Sequence, residues 1–327
     1  MTTRTYIRLF VCFIAAALVL TSSAGAVFTP PSGANLTDAA NSFVLRPGVV
    51  VDPVRAALYV MTPDNRVAAI DIASGDERWA TEAAAQPLGL YGNYLVALVE
   101  PTEVSAAEVA FLDLANGDRE VAIPLTFPER TAVSIDDGPN RRFDAKVQVV
   151  GGEVYFHWTY TSYPLHGAPV VDRPAPTLLD GVFRLDPLTR AATVPVAPPK
   201  TPAALVPDLA PAERLTGVEG RQFRAANERH VLASEQHNDD PWNRYQWTLV
   251  DRASGLELGR LDQSRSMAPF FVSGSTLVFE ALPHVRRLPS GELASQQLAV
   301  QAVDVGTGRE LWQVAVRDTT YRGPLAP

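Results

Sequence analysis

The sequence predicts an all-β protein, a β-propeller of four-stranded antiparallel blades, and three observations support this fold class. A twelve-residue hairpin pattern occurs near both ends of the chain, and weaker copies lie between them. Each copy follows a short apolar segment rich in Val, Leu, Tyr and Phe. Gly, Pro, Asp and Asn separate these segments, which are too short for amphipathic helices. Repeats of about four strands stack in a ring, because a single blade cannot bury both of its faces.

The two strongest copies of the hairpin are AAIDIASGDERW at 68–79 and QAVDVGTGRELW at 301–312. The aspartate ends a strand, and its carboxylate can accept hydrogen bonds from backbone N–H groups of the turn. The glycine permits the left-handed backbone of a tight hairpin, and the tryptophan adds a large apolar surface to the returning strand. We therefore expect structural roles for Asp71, Gly75, Trp79, Asp304, Gly308 and Trp312.

Three weaker copies lie between the strong ones, so five units are visible. Their aspartates and glycines, also expected to be structural, are Asp113, Gly117, Asp186, Asp251 and Gly255. In the third unit Arg190 stands where glycine is expected. The units are spaced more widely than the ~40–50 residues of an ordinary blade. Five to seven blades are therefore compatible with the sequence, and residues 317–327 are a candidate to close the ring by pairing with residues 43–51.

Long excursions explain the wide spacing. Thr161 to Asp180 lies between the second and third strands of its unit, Pro195 to Thr216 joins two units, and Gln236 to Arg244 is a third excursion. Such loops at one rim are where propellers usually carry their function.

The repeat resembles that of the pyrroloquinoline-quinone (PQQ) type propellers, with its A-x-D-x-x-T-G-x-x-x-W hairpin. The resemblance covers roughly residues 45 to 316. It implies that Trp79 and Trp312 dock between adjacent blades. The other three units lack the tryptophan and have Ile123, Val194 and Gly259 at the nearest places.

The N-terminus has the three parts of a secretory signal peptide. Arg4 and Arg8 precede the apolar run Leu9 to Leu20, and Ala24-Gly25-Ala26 supplies a cleavage site. The apolar run is short for a membrane-spanning helix, although an uncleaved anchor is the alternative. The sequence thus predicts a signal peptide at 1–26, an extension at 27–44 and one PQQ-like propeller domain at 45–327. The protein is expected in the periplasm or outside the cell, and not as an integral membrane protein once the signal is cleaved.

Charge and cysteine content exclude several function classes. Residues 1–26 contain two arginines and no acid, so the mature chain has 26 basic and 36 acidic residues, a net charge of −10. Such a surface disfavours nucleic acid as a partner. The single cysteine, Cys12, lies in the predicted signal, so the mature chain has no thiol for catalysis, metal binding or disulfides.

The best candidate for ligand or partner binding is an aromatic group around the first and third excursions. Its members are His157, Trp158, Tyr160, Tyr163 and His166 in HWTYTSYPLH, with His237 and Trp242 near QHNDDPW. Exposed aromatics beside hydrogen-bonding groups suit another protein, a peptide or a saccharide. The alternative is that residues 157–160 alternate along a strand and only pack between blades.

Two catalytic classes compete with a binding role. The resemblance to quinoproteins suggests a periplasmic oxidoreductase with PQQ and calcium, but no acid and amide set matches its calcium ligands. A propeller glycosidase would need paired carboxylates such as Asp136-Asp137 or Asp239-Asp240, or Glu235. The histidine spacing fits no metal signature. We therefore expect a non-catalytic binding or scaffold module in protein–protein interaction or cell-envelope assembly, with no cofactor and no metal.

Overall fold

The computed structural model describes residues 43–129, 131–163, 177–199, 223–226, 229–237, 244–263, 268–287 and 293–320. All regular elements in these ranges are β-strands, and every pairing between them is antiparallel. They form five sheets of four or five strands and one two-stranded hairpin. The predicted β-propeller with five units is confirmed.

The blades follow one another along the chain. Blade 1 has an additional strand, β1 (Phe43–Arg46), before the four strands of the repeat, which are β2 (Val49–Asp52), β3 (Ala57–Met61), β4 (Val67–Asp71) and β5 (Glu77–Thr81). The first to fourth strands of blade 1 are therefore counted from β2. Blade 2 has β6 (Gln86–Tyr91), β7 (Tyr94–Leu98), β8 (Ala106–Asp113) and β9 (Arg119–Thr126). Blade 3 has β10 (Arg141–Val150), β11 (Glu153–Ser162), β12 (Thr177–Asp186) and β13 (Ala191–Thr193).

The last two blades have the same strand order. Blade 4 has β14 (Phe223–Ala226), β15 (His230–His237), β16 (Arg244–Asp251) and β17 (Glu257–Gln263). Blade 5 has β18 (Phe270–Ser273), β19 (Thr276–Ala281), β22 (Ala299–Asp304) and β23 (Arg309–Ala315). The hairpin of β20 (His284–Arg287) and β21 (Leu293–Gln296) is inserted between its second and third strands.

Apolar clusters fill four junctions between neighbouring blades: 1–2, 2–3, 4–5 and 5–1. In β7, for example, Leu95 and Ala97 pack toward blade 1, whereas Val96 and Leu98 pack toward blade 3. A strand that is buried on both faces needs an unbroken apolar run, which is why these segments do not alternate with polar residues. Burial of the inner strands therefore accounts for the strong apolar signal in the sequence.

The repeated aspartates and glycines build the turns between the third and fourth strands. In the first repeat the amide of Gly75 donates to the Asp71 carbonyl at 2.8 Å, and the Asp71 carboxylate accepts from the amides of Ala73 and Ser74. The last repeat has the same arrangement, since Thr307 donates to Asp304 Oδ1 through both its amide and its hydroxyl. These carboxylates are thus engaged with their own turns.

The two repeat tryptophans link consecutive blades. The indole of Trp79 in blade 1 donates to the Leu114 carbonyl in the turn of blade 2 at 2.9 Å. The indole of Trp312 in blade 5 donates to the Ile72 carbonyl in the turn of blade 1, also at 2.9 Å. Trp312 thus joins the last blade to the first, and the ring closes at this junction.

The other junctions use different residues at the tryptophan position. The register places Val121 of blade 2 there, because Phe111 pairs with Val121 as Ala69 pairs with Trp79. The assignment of Ile123 from the sequence is therefore wrong by two residues. In blade 4, a Cβ on Gly259 would collide with the backbone of Val305 in blade 5, so glycine allows direct backbone contact.

The C-terminal segment Val316–Thr320 crosses from blade 5 to the other blades. The amide of Arg317 donates to the Met61 carbonyl at 2.9 Å, and the Thr319 carbonyl accepts from the amide of Asp137 at 2.8 Å. Strand β1 does not pair with this segment as expected, since it pairs with β2. The Arg46 side chain instead donates to the Arg317 carbonyl at 3.2 Å. The rest of the expected pairing, from residue 321 onward, lies outside the described residues.

Three other sequence expectations concern boundaries. The excursion expected at Thr161 to Asp180 is shorter, because β11 continues to Ser162 and β12 begins at Thr177. The β-branched and tyrosine residues of 159–162 extend the strand. Gln236 and His237 belong to β15, and Arg244 begins β16, so the third excursion is also shorter. The predicted signal peptide at 1–26 lies outside the described residues, as does 27–42 of the extension.

Candidate functional site

The excursions gather at one end of the blades. In every blade the connection between the second and third strands leaves at the same end, and blades 3, 4 and 5 have their insertions there. We call this end the insertion rim. The C-terminal segment also lies at this end, because the Arg317 amide donates a hydrogen bond to the carbonyl of Met61, the last residue of β3. The insertion rim is therefore where sequence departs most from the basic repeat.

Two of the predicted aromatic residues face the core rather than solvent. Trp158 and Tyr160 are buried, and they belong to the cluster between blades 2 and 3. The Trp158 ring is stacked against Phe143 and meets Phe127 edge-on at 5.2 Å. Gly181 lies against the Trp158 indole, so that a Cβ there would come within 2.8 Å of it. These two side chains pack between blades, so the prediction that they contact a ligand does not hold.

His157 lies on the opposite face of β11 and is also buried, with 4% of its surface exposed. Its Nε2 is 3.1 Å from the Gln148 amide oxygen, while its Nδ1 has no hydrogen-bond partner among the described residues. Desolvation, and secondarily the charge of Lys146, holds the pKa of His157 below its ordinary value. A buried, neutral imidazole is not accessible to a ligand in solution, so this candidate is corrected as well.

The other four candidates have different outcomes. Tyr163 is the only one with a described, exposed side chain, and its amide donates to the Asn140 carbonyl at 2.7 Å at the insertion rim. His237 ends β15 at the same rim. His166 and Trp242 lie outside the described residues. The structure therefore brings the ends of the two excursions to one rim, and among the candidates whose side chains it describes, Tyr163 is the exposed one.

A charged cluster at the insertion rim is the feature that sequence reasoning missed. The Arg317 guanidinium contacts Glu100 at 2.6 Å and Asp136 at 2.5 Å, although the arginine side chain is only 11% exposed. Close by, Arg46 lies 2.9 Å from Glu280. These residues are 36 to 271 positions apart in sequence, so no local motif could have indicated them.

A small polar cavity adjoins this cluster. It has a volume of about 40 Å³, and its lining includes Gln86, Asp137, Asp144 and Thr319. Desolvation raises the pKa of Asp137. A space of this size holds about one water molecule and cannot admit a sugar ring. The neighbouring Asp136 is paired with Arg317, so the Asp136-Asp137 pair is not arranged for glycoside hydrolysis.

Of the other acidic candidates, only Glu235 lies in the part of the chain that the structure describes. Glu235 is an exposed residue of β15, and Asp239-Asp240 lies outside the described residues. A larger surface cleft of about 510 Å³ lies where blades 4 and 5 meet, with Gln246, Asp262, Gln301 and Glu310 in its lining. Within the ranges that the structure describes, no three His, Asp or Glu side chains are grouped as a metal site would require. No described helix is long and apolar enough to cross a membrane.

Comparisons with known proteins give one family match and several solved structures of low identity. The family model for outer membrane protein assembly factor BamB, a PQQ-type repeat model, matches residues 31–161, about two-fifths of the chain. No curated protein matches the chain. Among solved structures, BamB from Moraxella catarrhalis is 12% identical with a TM-score of 0.25, and the match covers 79% of this chain and 61% of that one. The chain thus spans about three-fifths of the length of that protein.

Two further solved structures show similar levels of identity. Protein lmo1340 from Listeria monocytogenes EGD-e is 8% identical with a TM-score of 0.29, with 86% of this chain and 96% of that one covered. A europium-containing methanol dehydrogenase is 11% identical with a TM-score of 0.23, with 88% and 72% covered. The region matched by the family model contains the first two hairpins, with the Asp and Gly of both and Trp79 of the first in the structural roles described above. Residues 31–161 thus match the PQQ-type β-propeller repeat family.

Proposed function

We propose that this protein is an exported, non-catalytic β-propeller that binds or scaffolds another protein in the cell envelope or outside the cell. The description of the matching family, an outer membrane protein assembly factor, supports a role of this class. The predicted signal peptide supports export. An acidic mature surface supports a partner other than nucleic acid.

The observation that carries the proposal is that the repeat residues and the insertions of the blades have different places and different roles. The repeat residues are used for turns and blade junctions, as the bonds of Asp71, Asp304, Trp79 and Trp312 illustrate. The insertions of blades 3, 4 and 5 are placed at one rim. Loops held by a rigid scaffold commonly form recognition surfaces. The burial of Trp158 and Tyr160 removes two of the rings that were expected to stack on a saccharide, which favours a protein partner.

The acidic residues at the insertion rim support the expectation that no PQQ or calcium is bound. A calcium ion needs six to eight oxygen ligands, whereas Glu100 and Asp136 are both engaged in ion pairs with Arg317. Glu280 likewise faces Arg46. The cavity beside them, at about 40 Å³, is too small for a quinone. These residues do not fit the cofactor of a quinoprotein dehydrogenase.

The non-catalytic proposal is tested on the mature protein purified from the periplasm of its source. Its absorption spectrum and metal content are measured before and after titration with PQQ and calcium. We expect only the absorption of its aromatic residues, and no saturable change on titration. A quinone absorbance that saturates at one equivalent would instead make the protein an oxidoreductase.

A further inference from the structure

Blade 3 differs from the other four blades in the pairing of its third strand. Strand β13 pairs only with residues 184–186 of β12, so Thr177–Phe183 has no partner on that side among the described residues. In blades 1, 2, 4 and 5 the fourth strand leaves at most two residues of the third strand unpaired. A seven-residue strand edge is therefore open in one blade only, as far as the structure describes the chain.

The sequence explains why β13 ends early. Residues 191–199 read AATVPVAPP, and Pro195 lacks the N–H group that a continuing strand would need. Val194 and Val196 are largely exposed, at 76% and 106%, so the chain has left the sheet by these positions. The opposite side of β12 is fully paired, because residues 177–185 all have partners in β11. The open edge is thus held in an extended conformation by its neighbour.

This edge offers both main-chain and side-chain recognition. An unpaired strand edge presents a row of N–H and C=O groups that an added strand can bond. Leu178 is 63% exposed, and Asp180 is exposed on the same face of the strand, with Val182 next on that face. An opposite charge across from Asp180 and apolar side chains across from Leu178 and Val182 would be favourable cross-strand pairs.

We propose that Thr177–Phe183 of β12 is a strand-addition site for an extended segment of a partner protein. The segment pairs along the open edge, places a lysine or arginine opposite Asp180 and has apolar residues on either side of it. The site begins at the insertion rim, where β12 starts at Thr177 after the insertion of blade 3. This inference rests on the proposed protein-binding function and specifies one mode of it.

The test uses the full mature chain and a nine-residue peptide of alternating valine and threonine with one central lysine. Binding is measured by isothermal titration calorimetry at low salt, and amide hydrogen exchange reports on residues 177–183. We expect the peptide to slow exchange of the amides that face the open edge. Methylating alternate peptide amides on one edge should abolish binding, and methylating those on the other edge should preserve it, because only one edge of an added strand pairs.

A charge swap identifies the register. The Asp180→Lys substitution should weaken binding of the lysine peptide about fivefold to tenfold. It should strengthen binding of a peptide with a central glutamate by a similar factor. Asp76→Lys, at an exposed turn residue of blade 1, is the matched control and should change neither affinity. The proposal is overturned if the edge amides are already protected in the free protein, or if the peptide does not bind. It is also overturned if both methylated peptides bind equally. The proposed protein-binding function has a separate test, in which a photo-reactive amino acid replaces Tyr163. If a partner protein cross-links at that position, the proposed function stands even when the peptide fails to bind, and if none cross-links, the proposed function is contradicted.

Discussion

At the residue scale, the fold depends on one backbone conformation that recurs in every blade. Gly75, Gly117, Gly255 and Gly308 have φ between 68° and 79°, and Arg190 takes the same place with φ of 56°. The sequence showed Arg190 as an exception to the pattern, and the structure shows that the turn keeps its left-handed geometry regardless. For a residue with a Cβ, this conformation costs about 1–2 kcal/mol.

The first prediction concerns this strained arginine. Arg190→Gly should raise the free energy of unfolding by about 0.5–1 kcal/mol, since relief of strain exceeds the extra entropy of glycine in the unfolded chain. The arginine is exposed, so little packing is lost. Urea unfolding measures the change. Gly117→Ala is the control variant and should lower the free energy of unfolding, because its Cβ would lie 2.6 Å from the Trp79 ring. A destabilised Arg190→Gly variant would contradict the account.

The second prediction concerns the turn aspartates at low pH. The Arg78 guanidinium, with the turn amides, lowers the pKa of Asp71 to about 2. Hydrogen bonds within their own turns, from Thr189, Ser254 and Thr307 respectively, also lower the pKa values of Asp186, Asp251 and Asp304. An aspartate whose pKa is lower in the folded than in the unfolded protein stabilises the fold at pH values above the ordinary aspartate pKa, which is about 4. This stability is lost as the pH falls toward 2.

We therefore expect the urea midpoint to fall between pH 4 and pH 2. In Asp71→Asn the midpoint should start lower at neutral pH and fall less steeply with acidification, because one titrating group is gone. The measurement is a series of urea titrations on both proteins. Identical pH slopes for the two proteins would show that the Asp71 carboxylate does not have the proposed role.

At the element scale, the sequence predicted the strands that are buried on both faces and was less accurate at their ends. Ala57–Met61 and Tyr94–Leu98 are strands within the predicted bounds, because an unbroken apolar run between turn residues is a local signal. The outward extension of β11 to Ser162 was missed, since its last residues are polar and are held by pairing with β10 on one side and the distant β12 on the other. His157 and Trp158 were placed in one candidate binding group because they are adjacent in sequence. In strand β11, however, adjacent side chains point to opposite faces of the sheet.

The third prediction tests how the elements join. Trp312→Ala should lower the free energy of unfolding by about 3–5 kcal/mol, because it removes a buried ring and its hydrogen bond to the Ile72 carbonyl. Trp79→Ala, which breaks the equivalent link between blades 1 and 2, should have a similar effect. Chemical unfolding provides both values. A loss below about 1 kcal/mol for Trp312→Ala would mean that this contact does not close the ring.

At the scale of the whole molecule, the ring is closed by two features: the tryptophan contact of the repeat and the C-terminal segment, which is not part of any repeat. Trp312 follows the repeat, and its role was indicated by the family resemblance. The C-terminal segment follows no repeat, yet Arg317 brings together Glu100 and Asp136 from distant parts of the chain. Sequence patterns indicate local turns and strands, whereas contacts between residues hundreds of positions apart depend on how the blades are arranged. For this reason the fold was predictable and the charged part of the insertion rim was not.

The most direct test of the central claim compares the two ends of the propeller in the cell. A photo-reactive amino acid replaces Tyr163 at the insertion rim or, as the control, Val54 in the connection at the opposite end of blade 1. The two positions are matched, with exposures of 51% and 54%. We predict that irradiation cross-links one partner protein at a fixed stoichiometry through position 163 and none through position 54. Equal cross-linking at both positions, or cross-linking only at position 54, would contradict the assignment of binding to the insertion rim.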